Sequence, residues 1–260
     1  MSKLSSDMLH MSEDSHIDEL FVGCLDLGAP LLKSLISRSY IDLNREPYEF
    51  DARMFIERLP SYMNTASPRV ASGLGTIPKI VGDQLNIYAG PIPLAEALQR
   101  IESLYRPYHR TLATLLDEAH AATGQVLLVD CHSMPSSAAR MSNGSWGAST
   151  VDVALGDRHG CACDQSIVEI AEQSLIAAGL NVQRNKPYSG GYITETHGKP
   201  RKGRHALQIE LNRALYMHEG SRRPHSGFQK LKQTIDLMLK NVCAAIEPWT
   251  LERPHSEAAE

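Results

Sequence analysis

Several things are missing from this sequence of 260 residues, and each absence narrows the field. No apolar run approaches the roughly 18 residues that would suggest a transmembrane span. The stretch from Met1 to Asp18 is polar and carries Asp7, Glu13, Asp14 and Asp18. It has neither the basic head nor the apolar stretch of a secretory signal, so the cytoplasm is the expected location. Positive charge is not in excess: 26 Lys and Arg against 30 Asp and Glu give a net −4. That balance argues against nucleic acid as a partner and still leaves room for a local basic pocket that takes a small anion. The five cysteines are odd in number and irregularly spaced, which reads as reduced thiols and not as a disulfide framework. Cys161 and Cys163 form a C-x-C pair, but no second Cys or His pair stands at zinc-finger spacing beside it. There is no G-x-G-x-x-G after a strand pattern, no G-x-S-x-G elbow and no Walker pattern. A dinucleotide fold, an elbow-type serine hydrolase and a phosphate-cradling loop are therefore not expected.

What remains is an ordinary globular composition, 42% hydrophobic and 22% charged, long enough to bury a core without staples. No internal repeat or low-complexity linker divides it, so one domain over residues 1–260 is expected. Leu20, Phe21, Cys24, Leu27, Leu31, Leu32 and Leu35 recur at helical spacing, with Gly28 to Pro30 splitting the run into two helices. Residues 40–44 read as a short strand. The Pro-, Gly-, Asn- and Ser-rich stretch 46–90 reads as a long irregular segment of the functional kind. Residues 94–122 read as an amphipathic helix broken near Pro107. Apolar strands are expected at 125–132, 151–155, 181–184 and 206–211, with helices at 165–178, where Gly179 serves as C-cap, and 228–246. Alternating strands and helices argue an α/β three-layer sandwich around a mixed sheet, with the site at the carboxyl ends of the strands.

Polar residues interrupt the apolar strands at three places. Asp130-Cys131-His132-Ser133 puts a histidine at the end of a buried strand, with an acid two residues before it. A core histidine that is merely satisfied is the ordinary reading. A ligand or base is the sharper one, favoured by the surrounding Asp and Ser. Gln208, Glu210 and Asn212 share one face of the next candidate strand, because side chains alternate. Either that strand is an edge with a solvated face, or Glu210 is a carboxylate poised as general base beside a metal. Asp42, Asn44 and Arg45 form a third polar end, where the arginine is either a surface ion pair or a fork for a substrate carboxylate. Pro187 to Thr194 places Gly190-Gly191 between Tyr188 and Tyr192, the composition of a binding loop.

In order and spacing, Ser-Arg-Ser-Tyr-Ile-Asp-Leu-Asn-Arg (37–45), Asp-Cys-His-Ser-Met-Pro (130–135), Leu-Gly-Asp-Arg (155–158), Pro-Tyr-Ser-Gly-Gly-Tyr (187–192) and Ala-Leu-Gln-Ile-Glu-Leu-Asn-Arg-Ala-Leu-Tyr-Met (206–217) resemble the N-formylglutamate amidohydrolase family. Ser67-Pro68-Arg69-Val70 and Tyr105 to His109 fit the same pattern. The resemblance runs from about Ser12 to the C-terminal helix. It implies a fold similar to zinc carboxypeptidases and hydrolysis of N-formyl-L-glutamate to formate and L-glutamate, the last step of one bacterial histidine-degradation route. It further implies one zinc with His132 and Asp14 among its ligands and Glu210 as general base. Arg45, Arg158 and Arg213 become candidates for the substrate carboxylates, with Asn44 orienting one of them.

The sequence departs from the family in one major place. Relatives carry an upstream strand ending in Pro-His-Ser-Gly or Pro-His-Val-Gly, whose histidine is expected to be a ligand. Here no such motif precedes Ser12; Pro224-His225-Ser226-Gly227 occurs only before the last helix and reads as coincidence. A smaller departure concerns His197, which is either a shifted equivalent of a family histidine or a surface residue. These departures lead one to expect weak metal binding and low solubility or activity of the 260-residue chain. They also set up an alternative, an inactive, metal-deficient homologue that binds an amino-acid dicarboxylate.

Overall fold

A computed structural model describes residues 2–82, 84–142 and 148–246. In chain order its main elements are helix α1 (Ile17–Phe21), α2 (Leu94–Arg100), α3 (Arg106–Thr123), strand β1 (Val126–Met134), β2 (Val153–Gly156), α4 (Gln165–Ala177), β3 (Val182–Arg184), α5 (Tyr192–His197), β4 (Arg204–Asn212) and α6 (Gly227–Ile246). The chain divides into two compact units, one of Met1–Glu13 with Leu32–Thr114, the other of Asp14–Leu31 with Leu115–Glu260.

The first unit is largely irregular over 46–90, as its Pro and Gly content leads one to expect. Its loops are tied by long-range backbone bonds such as Phe50 N to Asn64 O (3.0 Å) and Thr76 N to Glu49 O (2.9 Å). Phe50, Ile41, Ile77 and Ile101 are fully buried. The strand expected at 40–44 is absent; Tyr40, Leu43 and Asn44 lie in turns, and Ile41 and Asp42 between them are irregular. The reason is local. Asp42 Oδ1 accepts the N–H of Asn44 at 2.9 Å, offering the backbone a turn in place of a ladder. Pro107 does not break its helix. A wider π-type turn, Ile101–Tyr105, stands between α2 and α3 just before it and relieves the clash a proline ring makes with the preceding turn.

The second unit holds a mixed four-stranded sheet in the order β1-β4-β2-β3. Strand β4 runs parallel to β1 and antiparallel to β2, and β2 runs parallel to β3. The helical run after Phe21 continues as a 3-10 segment, Val22–Leu27, and stops at Gly28. No second helix follows Pro30, since Leu35 is 85% exposed and nothing rewards nucleation there. Alternation along β4 separates core from site. Leu207, Ile209 and Leu211 join Val153 and Leu155 in one apolar cluster with Ile167 and Leu175 of α4 and Leu231 and Ile235 of α6. Gln208, Glu210 and Asn212 take the other face. Each buried Leu or Ile contributes roughly 1.5–3 kcal/mol, so a one-residue slip would lose several kcal/mol and fixes the register. Strand β4 lies inside the sheet, so the edge-strand reading of its polar face is corrected. Gln208, Glu210 and Asn212 are 4%, 8% and 2% exposed.

Gly156 ends β2 opposite Gln208. A Cβ there would lie 2.7 Å from Gly190 N and from Ser189 C, both backbone atoms. The close seat of the 189–190 loop on the sheet thus requires glycine. Gly156→Ala is expected to lower stability by about 1–3 kcal/mol, read from the urea midpoint. An unchanged midpoint would show that the loop is not seated there.

Candidate functional site

Strands β1 and β4 bring His132 and Glu210 together as direct register partners, with Asp130 opposite Gln208 one pleat earlier. Strand β1 extends to Met134, so His132 sits within the ladder and not at its end. Its ring lies between two carboxylates. Nδ1 is 3.1 Å from Asp14 Oδ2, and Nε2 is 2.8 Å from Asp130 Oδ1. Burial disfavours charge on the imidazole, but Asp130 and Asp14 outweigh it and push the His132 pKa well above its ordinary value.

Asp14 is held from several sides. The backbone N–H and the hydroxyl of Ser133 both donate to its Oδ1 at 2.8 Å. Arg213 Nη2 lies 4.0 Å from the same oxygen, and Arg213 Nε donates to Ser133 Oγ at 3.0 Å. In this arrangement the buried Arg213 guanidinium braces the Asp14–Ser133 pair. Glu210 is oriented by its own strand: Gln208 Nε2 donates to Glu210 Oε1 at 2.8 Å, and Gln208 Oε1 accepts the Gly191 N–H at 2.7 Å. Thr194 Oγ1 reaches Asp130 Oδ2 at 3.5 Å.

Arg158 follows β2 in a left-handed conformation (φ 56°), as does His159 beside it. Its guanidinium pairs with Glu195 of α5 at 2.9 Å. Gly190, whose own φ is 116°, passes against the Arg158 side chain. The loop Gly190-Gly191 thus touches Arg158 on one side and Gln208 on the other.

Asn44 and Arg45 belong to the first unit. Arg45 is pinned there: Nε donates to Leu74 O at 2.9 Å, Nη1 to Asn44 O at 2.8 Å, and Nη2 lies 3.3 Å from Asp42 Oδ2. Burial pushes the Arg45 pKa down. Burial alone would raise that of Asp42, but Arg38 and Arg45 beside it bring it below the ordinary carboxylate value. The guanidinium is fixed in place before any ligand arrives.

Asp14 Oδ2 and His132 Nδ1, at 3.1 Å, stand about as far apart as two ligands of one zinc with bonds near 2.0 Å. They fit as two donors of a metal site. Among the described residues no group of three or more His, Cys, Asp or Glu is arranged to hold a metal ion. His197 is half-buried at the end of α5, with a buried Nε2 that finds no hydrogen-bond partner among the described residues. His225 accepts the Gly227 N–H at Nδ1 and faces Ala214 O with Nε2, a helix-entry role in keeping with the coincidental motif. Cys161 is exposed and Cys163 buried, and burial raises the Cys163 thiol far above its ordinary value.

Sequence reasoning singled out His132, Asp14, Glu210 and Arg213, which the second unit gathers into one cluster. It missed that Ser133 and Arg213 anchor Asp14 and that Gln208 links Glu210 to the Gly-Gly loop. The alternating polar face of β4 was the available signal for Gln208.

A histidine held between two carboxylates, with a buried glutamate paired to it in register on the polar face of a mixed sheet, is a combination suited to acid–base chemistry. The sequence profile of the family described as N-formylglutamate amidohydrolase matches residues 1–217. N-formylglutamate deformylase of Pseudomonas putida is 31% identical over 242 residues, 92% of this chain and 83% of that protein. Its counterpart from Pseudomonas aeruginosa is 29% identical over 243 residues, with the same coverage. The crystal structure of N-formylglutamate amidohydrolase from Ralstonia eutropha superposes with a TM-score of 0.88 at 31% identity, covering 94% of this chain and 87% of that one. A gene product of Agrobacterium tumefaciens, 21% identical with a TM-score of 0.64, shares the fold. The chain belongs to the N-formylglutamate amidohydrolase family and is by class an amidohydrolase.

Proposed function

We propose that this chain hydrolyses the formamide of N-formyl-L-glutamate to formate and L-glutamate, the closing step of a histidine-degradation route in the cytoplasm. The reading takes both units as one functional domain of the zinc carboxypeptidase-like, three-layer kind, with one zinc as cofactor. The observation that carries it is the register pair His132–Glu210, set among carboxylates in a member of this family.

A formamide is a poor electrophile and neutral water a poor nucleophile. A zinc ion, when bound at His132 and Asp14 with further donors, supplies carbonyl polarisation and a water of lowered pKa. Ser133 and Arg213 hold Asp14 in place for that role. Glu210, steadied by Gln208, takes a proton from the attacking water as the oxygen of that water bonds to the formyl carbon. Glu210 returns that proton to the nitrogen as the C–N bond breaks, so formate and the free amine leave. Arg158 is proposed to meet a substrate carboxylate; Arg45, with Asn44 to orient the ligand, is a candidate for the other on the family resemblance alone. Arg213 is a third such candidate, although its contacts to Ser133 and Asp14 favour the bracing role.

Arg158→Ala and Arg45→Ala, made singly, are each expected to raise KM for N-formylglutamate roughly 10- to 100-fold, the worth of a charge-assisted contact. A neutral formamide should lose far less. Equal losses on both substrates would show that the arginine is structural. The function itself is tested by formate release from N-formylglutamate with zinc supplied. The second reading is an inactive, metal-deficient homologue that binds an amino-acid dicarboxylate. Tight ligand binding with no formate released would establish that second reading.

A further inference from the structure

We infer that Gln208 is a positioning residue for Glu210, and that it makes the Gly190-Gly191 loop part of the machinery that aims the base. The inference rests on the reading of Glu210 as the general base.

The two ends of a glutamine side chain are chemically opposite, one an acceptor and one a donor. The Gly191 N–H can only donate, so at 2.7 Å it requires the Gln208 oxygen. Turning the amide over would set donor against donor. With Oε1 committed to Gly191, Nε2 is left to face Glu210 Oε1, where it lies at 2.8 Å. Gln208 is 4% exposed and Glu210 8% exposed, so no solvent averages this geometry away. A buried polar group that lost its partner would carry its full desolvation cost, so each contact fixes the next.

The loop end is equally determined. Gly190 stands at φ 116°, a conformation that side chains avoid. A Cβ there would meet Arg158 Cγ and Thr194 Cγ2 at 3.1 Å each. Gly156 below leaves the loop backbone just enough room to reach the sheet. The Gly191 N–H is thus delivered to Gln208 by backbone that only glycine permits. It connects the neighbourhood of Arg158 with the orientation of the Glu210 carboxylate.

Catalytic groups tolerate little misplacement, and an error of about 1 Å can lower rates by 10²-fold. Gln208→Met, of similar length and without hydrogen bonds, is expected to lower kcat for formate release about 10- to 100-fold, with KM within about twofold. Gln208→Glu keeps an acceptor for Gly191 but faces Glu210 with a second acceptor, so it should not rescue kcat. Gly190→Ala should lower kcat in the wild-type background and much less in Gln208→Met, because both act through one contact. Unchanged kcat in folded Gln208→Met, or kcat and KM falling together, would overturn the inference. If the Gln208 variants do not fold, Gly190→Ala alone decides through kcat, because its Cβ also presses on Arg158 and shifts KM: a lower kcat supports it, and an unchanged kcat overturns it. A crystal structure of Gln208→Met, or of Gly190→Ala, reads the same point without turnover, since a Glu210 carboxylate that keeps its place contradicts a positioning role. Loss of activity on Glu210→Gln is a separate result. Its absence would remove the base assignment itself, whatever the Gln208 variants show.

Discussion

Glu210→Gln is expected to lower kcat for formate release by about 10²-fold or more, while fold, metal content and KM stay nearly constant. Glutamine keeps the size of the side chain and can still accept from Gln208 Nε2, so the buried hydrogen bond survives. What it cannot do is carry a proton. In the proposed reaction one proton must leave the water and one must reach the nitrogen, and Glu210 is the residue that strand register pairs with His132 on the polar sheet face. A kcat within a few-fold of wild type would remove Glu210 from the mechanism.

His132→Ala should have the other large effect. The ring is both a proposed donor to zinc and the cation-capable group between Asp14 and Asp130. Its loss leaves a single donor, Asp14, and two carboxylates that have lost their shared partner. Zinc affinity, measured by competition with a chromogenic chelator, should fall by more than the roughly 10- to 100-fold typical of a residue that only orients a ligand. Formate release should fall with it. Retention of wild-type zinc affinity would show that the metal, where bound, does not use His132.

The second unit was the more legible part of the molecule, for a physical reason. Its strands bury one face against α4 and α6, and the alternation Leu207, Gln208, Ile209, Glu210, Leu211 writes that burial into the sequence. Polar residues between apolar ones on a strand are costly to bury, so Glu210 and Gln208 are legible in the sequence alone. The choice between edge and interior was not legible, because strand order depends on long-range pairing that no local pattern encodes. The first unit was harder. Asp42 and Asn44 alternate as strand residues would, yet a side-chain-to-backbone bond at 2.9 Å makes a turn there. Leu31, Leu32 and Leu35 continue a helical period, but a period forms a helix only when a surface waits to bury it. The cluster around Asp14 was legible only through family resemblance. Its partners, Ser133 and Arg213, lie 119 residues and more away in sequence, beyond what spacing can reveal.

Zinc-assisted deformylation at the His132–Glu210 pair is the proposed activity. It is tested most directly by the formate released from N-formyl-L-glutamate by the purified chain, before chelation, after chelation and after zinc is restored. The predicted result is stoichiometric formate and glutamate, lost on chelation, restored by zinc, and released about 10²-fold or more slowly by zinc-restored Glu210→Gln. Formate release that is indifferent to both chelation and Glu210→Gln would contradict the account.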